Sequence, residues 1–322
     1  MFVTGATGFV GRATLKRLLA AGHEVVAAYH RAAPAEQEGV RWVGMGDHDP
    51  PEVLHDMLGD SEAVVHLAAL AHLPNAEAEH SAEAFMRVNL DGTARIAQAA
   101  AGARVRRFVF LSSVKACGER SGARPLREDD PKQPADLYGV SKALAEDRLG
   151  EIAARTGMEQ VVIRPPLVYG PGVRANFLSL MRWIDRGLPL PFGAIDNRRS
   201  FLYVENLADA VARCLEHPAA AGQTYFVSDG EDVSTDELAR RIGRALERPA
   251  RRVSAPVPLL RVVGRLLRRE AAVERLTESL AVDISRIRSE LGWQPRFSLD
   301  AGLRATAGWY RAAHPSAMRG DV

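Results

Sequence analysis

The chain is poor in cysteine. Cys117 and Cys214 are the only two among 322 residues, and they lack metal-ligand spacing. A disulfide scaffold and a zinc site are therefore not expected, and a reducing, cytoplasmic setting is. Charge of one sign is also missing: 42 Lys and Arg face 40 Asp and Glu. No global field draws in nucleic acid or an anionic surface, so neither partner is expected. Apolar runs stop short of the roughly 18 residues that a spanning helix needs. The nearest, 257–269 ("VPLLRVVGRLLRR"), is interrupted by arginine and reads as a packed helix with basic outer positions, with interfacial membrane contact as the alternative. No secretory leader pattern precedes the first structured segment.

What is present is a large apolar fraction, 47%, in a chain long enough for one α/β domain with a smaller appendage. The first half alternates β-branched runs with helical stretches. Strands are expected in "MFVT", "EVVAAYH", 63–69, 106–113 and 159–166. Helices are expected after the first glycines, over 82–103 and from Tyr138 to about Thr156. Only four residues precede Gly5, so the first strand reads as clipped. This alternation predicts an α/β fold with a doubly wound parallel sheet. Beyond Pro166 the pattern loosens. Segment 167–177 reads as loop, and a smaller C-terminal lobe is expected from about 167–200 plus 229–322. The main domain takes 1–166 plus about 201–228.

"TGATGFVG" sets Gly5, Gly8 and Gly11 at three-residue spacing between a strand and a helix, with Thr7, Phe9 and Val10 filling the loop. Glycines let backbone approach a pyrophosphate whose charge sits on the helix N-terminus. The second strand ends in Tyr29, His30 and Arg31, with no carboxylate for a ribose 2′-hydroxyl. An arginine there can neutralise a 2′-phosphate, which favours NADP(H) over NAD(H). The competing reading is a solvated strand end.

The stretch "DLYGVSKALAE" places Tyr138 and Lys142 four residues apart on a helix, hence on one face. It is either an ordinary surface helix or an acid–base pair. A phenol has a pKa of about 10, so service near neutrality needs about 4 kcal/mol. An ammonium about 4 Å away supplies roughly that at an effective dielectric of about 20. The strand before it ends in Ser112 and Ser113.

Taken together, TGxxGxxG, "HLAA" (66–69), Asn89 in "VNLDGT", Ser113, Tyr138-x-x-x-Lys142 and "RPPLVYGPG" resemble the extended short-chain dehydrogenase/reductase family. Within it, the resemblance is to the nucleotide-sugar epimerase, dehydratase and reductase branch, over nearly the whole chain. It implies a Rossmann-type fold with a smaller C-terminal substrate-binding lobe and a catalytic set of Ser113, Tyr138 and Lys142. Cofactor contacts are implied for the glycine loop, Arg31, Asp47 and His48, Leu67, Ala68 and Ala69, Asn89, and Pro165. It implies a UDP-sugar held by Asn176, Arg199 and, more weakly, Arg275. Against these stand a helix cap for Asn176 and an exposed helix charge for Arg275. Lys115 and His72 are candidates to touch the sugar. A homodimer through the long helices is also implied.

Dehydratases of the family carry an acidic pair after the Ser/Thr, where this chain has Val114 and Lys115. Elimination then lacks its acid and base. Oxidation–reduction at C4 remains. Ala71 stands where a lysine is usual, and the acid after the second strand is missing. These departures resemble a sub-branch of surface-polysaccharide pathways that reduces UDP-4-keto-6-deoxy-N-acetylhexosamines. The expected activity is such a 4-ketoreductase, with UDP-glucose or UDP-N-acetylglucosamine 4-epimerase as alternative. From another class, a non-catalytic NADP-binding sensor is opposed by the intact Ser–Tyr–Lys set.

Overall fold

A computed structural model describes residues 1–46, 49–71, 78–266 and 270–314. The expected strand–helix alternation is realised from β1 (Phe2–Thr4) and α1 (Phe9–Ala20) through β2 (Val25–Tyr29), β3 (Val40–Gly44), α2 (Pro51–Leu58) and β4 (Ala63–His66). Next come α3 (Ala78–Phe85), a π-helical turn (Met86–Asp91), α4 (Gly92–Gly102) and β5 (Arg107–Leu111). The long α5 (Leu137–Thr156) and β6 (Glu159–Arg164) follow, then β7 (Leu167–Tyr169), α6 (Ala175–Asp185), β8 (Arg199–Tyr203), α7 (Val204–Glu216) and β9 (Thr224–Phe226). The remainder is β10 (Asp232–Val233), α8 (Thr235–Leu246), α9 (Val257–Leu266), α10 (Glu270–Thr277), α11 (Ser285–Leu291) and α12 (Leu299–Ala313).

The main sheet runs β3-β2-β1-β4-β5-β6-β9 with every pairing parallel. This is the doubly wound Rossmann arrangement, with its switch point between β1 and β4. Successive side chains of a strand point to opposite faces. Val109 therefore joins the core beneath α1 and α7, while Phe108 and Phe110 join the core beneath α2, α4 and α5. Arg107, fully buried at the start of β5, donates to the carbonyls of Cys214, Leu215 and His217 and closes the C-terminus of α7.

A second sheet runs β10-β8-β7 and packs against a separate buried cluster. Its β7 lies inside the stretch expected to be loop, because pairing with β8 supplies the hydrogen bonds that three residues cannot supply alone. The expected helix over 82–103 is three pieces, α3, the π-turn and α4. The structure also adds β3 and α2, which the sequence pattern did not suggest. No described helix is long and apolar enough to cross a membrane. Both cysteines are buried free thiols.

Candidate active site

The glycine loop closes the carboxyl end of β1, at the switch point. Gly5 sits at φ +67°, and a Cβ there would lie 2.6 Å from the Ala68 amide nitrogen, so the loop after β4 can press against it. A Cβ on Gly11 would lie 2.1 Å from the Gly5 carbonyl oxygen, which lets the first turn of α1 fold over the loop. Gly8 caps α1 without a side chain, and no acid occupies its first turn. The amides of Phe9, Val10 and Gly11 belong to the first turn of α1, where helix geometry leaves them without intrahelical partners and no carboxylate competes for them. Arg12 braces the loop by donating to the Thr7 carbonyl at 2.8 Å. These residues fit a dinucleotide pyrophosphate. Arg31 lies exposed two residues beyond the end of β2.

Beside the glycine loop a buried relay joins β1, β4 and α5. Thr4 Oγ1 accepts the Ala68 amide and contacts His66 Nδ1 at 2.7 Å. His66 Nε2 contacts Thr93 Oγ1 at 3.0 Å, and that hydroxyl donates to the Asn89 carbonyl. The pattern assigns the proton to Nε2. Burial, then the charge of Lys142, pull His66 down to about 3, so the ring stays neutral. Asn89 is saturated by protein: its side chain accepts from the Leu70 amide and donates to the Leu70 carbonyl and to Ser141 Oγ. Ser141 Oγ donates to the Tyr138 carbonyl. The structure therefore places Asn89 as a brace between the β4 loop and the catalytic helix.

At the end of β5, Ser113 Oγ accepts the Lys115 amide at 3.2 Å, and Ser113 lies close enough to the Tyr138 phenol to act on its pKa. The Pro165 carbonyl accepts the Val114 amide at 2.9 Å, fixing this turn to the end of β6. Asp136 caps α5 by accepting the Gly139 amide at 2.7 Å. Tyr138 packs against the Phe85 ring, with centroids 6.2 Å apart. Lys142 is 1% exposed, with Nζ 4.1 Å from the centroid of Phe110.

Burial dominates the electrostatics of both groups of the pair. Burial pushes Tyr138 up to about 12, Ser113 pulls it down, and the charge of Asp136 pushes it up again. Burial also pushes Lys142 down to about 7, with Glu146 acting to raise it. Bringing the phenol to pH 7 from about 12 takes roughly 7 kcal/mol, more than one ammonium provides.

Glu146 was not singled out from sequence, although it continues the one-turn spacing Tyr138, Lys142, Glu146. It accepts from Arg164 Nε at 3.0 Å, Arg164 Nη2 at 2.6 Å, Lys132 Nζ at 3.0 Å and Ser112 Oγ. Burial would raise this carboxyl, but these partners, Arg164 foremost, hold it below the ordinary range. The cluster binds the ends of β5 and β6 to α5, directly behind Ser113 and Lys142.

In the second sheet, Arg199 opens β8 and donates to the carbonyls of Arg275 at 2.8 Å and Glu278 at 3.0 Å. The structure thereby unites two candidates that lie far apart in the chain. Burial, then the charge of Arg275, hold Arg199 below its ordinary value. Asn176 is exposed at the second position of α6, whose N-cap is Arg174, so the cap reading for Asn176 does not apply. Lys115 Nζ contacts Glu119 Oε1 at 2.6 Å and Asp136 Oδ2. Asp47, His48 and His72 lie outside the described residues.

A glycine loop at the switch point, with Ser113, Tyr138 and Lys142 at the neighbouring strand end, is an arrangement that fits a dinucleotide-dependent enzyme. The profile of the NAD dependent epimerase/dehydratase family matches residues 1–228, and the chain belongs to that family of enzymes. It is 39% identical to a UDP-glucose 4-epimerase of Vibrio cholerae over 309 residues, covering 95% of this chain and 94% of that one. It is 30% identical to a GDP-6-deoxy-D-mannose reductase of Pseudomonas aeruginosa, covering 95% of each. Among solved structures, MoeE5 in complex with UDP-glucuronic acid and NAD superposes with a TM-score of 0.77 at 28% identity. That match covers 97% of this chain and 99% of MoeE5.

Proposed function

We propose that this protein is a UDP-sugar C4 oxidoreductase, and specifically a 4-ketoreductase that uses NADPH and releases the oxidised cofactor. The reacting sugar is a UDP-4-keto-6-deoxy-N-acetylhexosamine destined for a surface polysaccharide. The observation that carries the C4 chemistry is Ser113, at the carboxyl end of β5, beside the Tyr138 phenol, with Lys142 one turn on along α5. Ser113 orients the sugar O4. Tyr138 gives its proton to that oxygen as C4 accepts hydride, and the phenol's high ligand-free value suits a donor. A bound reduced nicotinamide supplies the hydride. The Arg199–Arg275 pair supplies positive charge for the UDP diphosphate, and exposed Asn176 supplies an amide. The release of cofactor and the choice of NADPH rest on Arg31 standing where an acid would hold a ribose 2′-hydroxyl.

A second reading, 4-epimerisation of UDP-glucose or UDP-N-acetylglucosamine, is favoured by the 39% identity to a relative of that name. We further propose a homodimer; Leu137 and Leu144, 39% and 41% exposed on α5, support it.

The test begins with purified protein, denatured to identify any nucleotide it releases. The reductase is expected to emerge empty and to oxidise one NADPH per UDP-4-keto sugar. Stoichiometric NAD carried through purification, with UDP-glucose turned into its 4-epimer without net cofactor change, would establish the epimerase instead. Cofactor binding with no turnover of any nucleotide sugar would favour the sensor.

A further inference from the structure

We infer that Lys115 is a positioning residue, whose ammonium clamps the turn carrying Ser113 to the first turn of α5, which carries Tyr138. The inference deepens the proposed function and rests on it only for the role of Tyr138. It replaces direct contact between Lys115 and the sugar.

Three observations converge. Lys115 belongs to the short 3-10 turn Val114–Ala116, and its own amide donates to Ser113 Oγ. Its Nζ reaches Glu119 Oε1 and Asp136 Oδ2, so two of three ammonium donors are already committed. Asp136 divides its carboxylate: Oδ1 takes the Gly139 amide and Oδ2 takes Lys115. One carboxylate thus holds the helix start and the serine turn at once. The backbones also touch. A Cβ on Gly139 would stand 2.5 Å from the Lys115 carbonyl oxygen, so only glycine lets α5 seat here.

The clamp also has an electrostatic consequence. Tyr138 faces Ser113 from the turn after β5, the Phe85 ring from α3, and Asp136 and Lys142 from its own helix. Lys115 and Glu119 stand against Asp136, and Glu119 in turn faces Arg199 from β8. Burial acts to raise Asp136, but Lys115 and the Gly139 amide hold it below its ordinary value. Its negative charge pushes the phenol up. Lys115 offsets that charge, so losing Lys115 exposes Tyr138 to it in full.

The experiment compares wild type with Lys115→Met, Lys115→Arg, Asp136→Asn and the Lys115→Met/Asp136→Asn double variant. Asparagine keeps a capping oxygen, so the Asp136 variant retains the helix start. Hydrogen exchange across 136–146 is read in the ligand-free protein. The pH profile of kcat, and KM, are read with whichever UDP-sugar turns over. Lys115→Met is expected to speed exchange in the first turn of α5 and lower kcat about 10- to 100-fold, as misplacement of a reacting group does. KM should stay within about twofold, since no uniform binding is lost. The kinetic limb that reports the phenol should move to higher pH. Lys115→Arg should restore both readouts; on top of Lys115→Met, Asp136→Asn should change neither exchange nor kcat further and should return the kinetic limb towards lower pH, because it removes the charge that Lys115 had offset. A Lys115→Met effect confined to KM, or additive with Asp136→Asn, would overturn the clamp. Should no UDP-sugar turn over, the exchange cycle still decides: unchanged exchange in Lys115→Met overturns it, whatever the substrate.

Discussion

Replacing Lys142 by methionine should stabilise the ligand-free protein while destroying its activity. Lys142 is buried to 1% exposure, and burial pushes it down to about 7 from the ordinary 10.5 of the unfolded chain. Below pH 7 both states carry the proton, and the folded state bears the full cost of a buried ammonium. Between about 7 and 10.5 the unfolded chain binds more protons, so wild-type stability rises with pH across that window. Above 10.5 the cost has gone. At about 1.4 kcal/mol per pKa unit the cost at pH 6 is roughly 4–5 kcal/mol. Methionine also forfeits the contact with the Phe110 ring, about 1–2 kcal/mol, so the net gain is about 2–4 kcal/mol. Denaturant titrations of both proteins at pH 6, 8 and 10 measure it. The variant should lead at pH 6, and the gap should close by pH 10. A gap that is independent of pH, or a wild type more stable at pH 6, would refute the argument. This is the stability that an active site gives up to keep a charge where chemistry needs it.

Tyr138→Phe should lower turnover about 100- to 10,000-fold by removing the proton donor, with nucleotide affinity by calorimetry unchanged. Glu146→Ala should destabilise the fold by about 3–5 kcal/mol, since the buried Arg164 loses its bidentate partner; urea unfolding reads it. Arg31→Ala should weaken NADPH binding by about 1–3 kcal/mol, as loss of a charge-assisted bond does, and leave NADH unaffected. Equal losses for both nucleotides would remove Arg31 from cofactor choice.

The glycine loop and the Tyr138–Lys142 pair were legible because their geometry is local. Three-residue glycine spacing after a strand and one-turn spacing on a helix are consequences of backbone dimensions alone. The alternation that predicts the doubly wound sheet is equally local, since strand and helix periods are written residue by residue. Edge strand β3 escaped because its pattern is half-exposed and mixes Arg41 and Trp42 into a short run. Strand β7 escaped because three residues are a strand only when β8 lies beside them.

Other properties of the site exist only once distant segments meet. Arg199 reaches the carbonyl of Arg275 across 76 residues, and Lys115 reaches Asp136 across 21. Arg164 finds Glu146 from a different strand end. The direction of the Tyr138 and Lys142 shifts also belongs to this level. From spacing alone an ammonium is expected to lower a neighbouring phenol, whereas burial penalises the charged form of each group and is the largest cause acting on both. The sequence by itself determined which groups could exchange a proton and on which helical face they stand. Only the tertiary structure decided how far each is withdrawn from water, and therefore which protonation state it holds, because desolvation is a property of the assembled core.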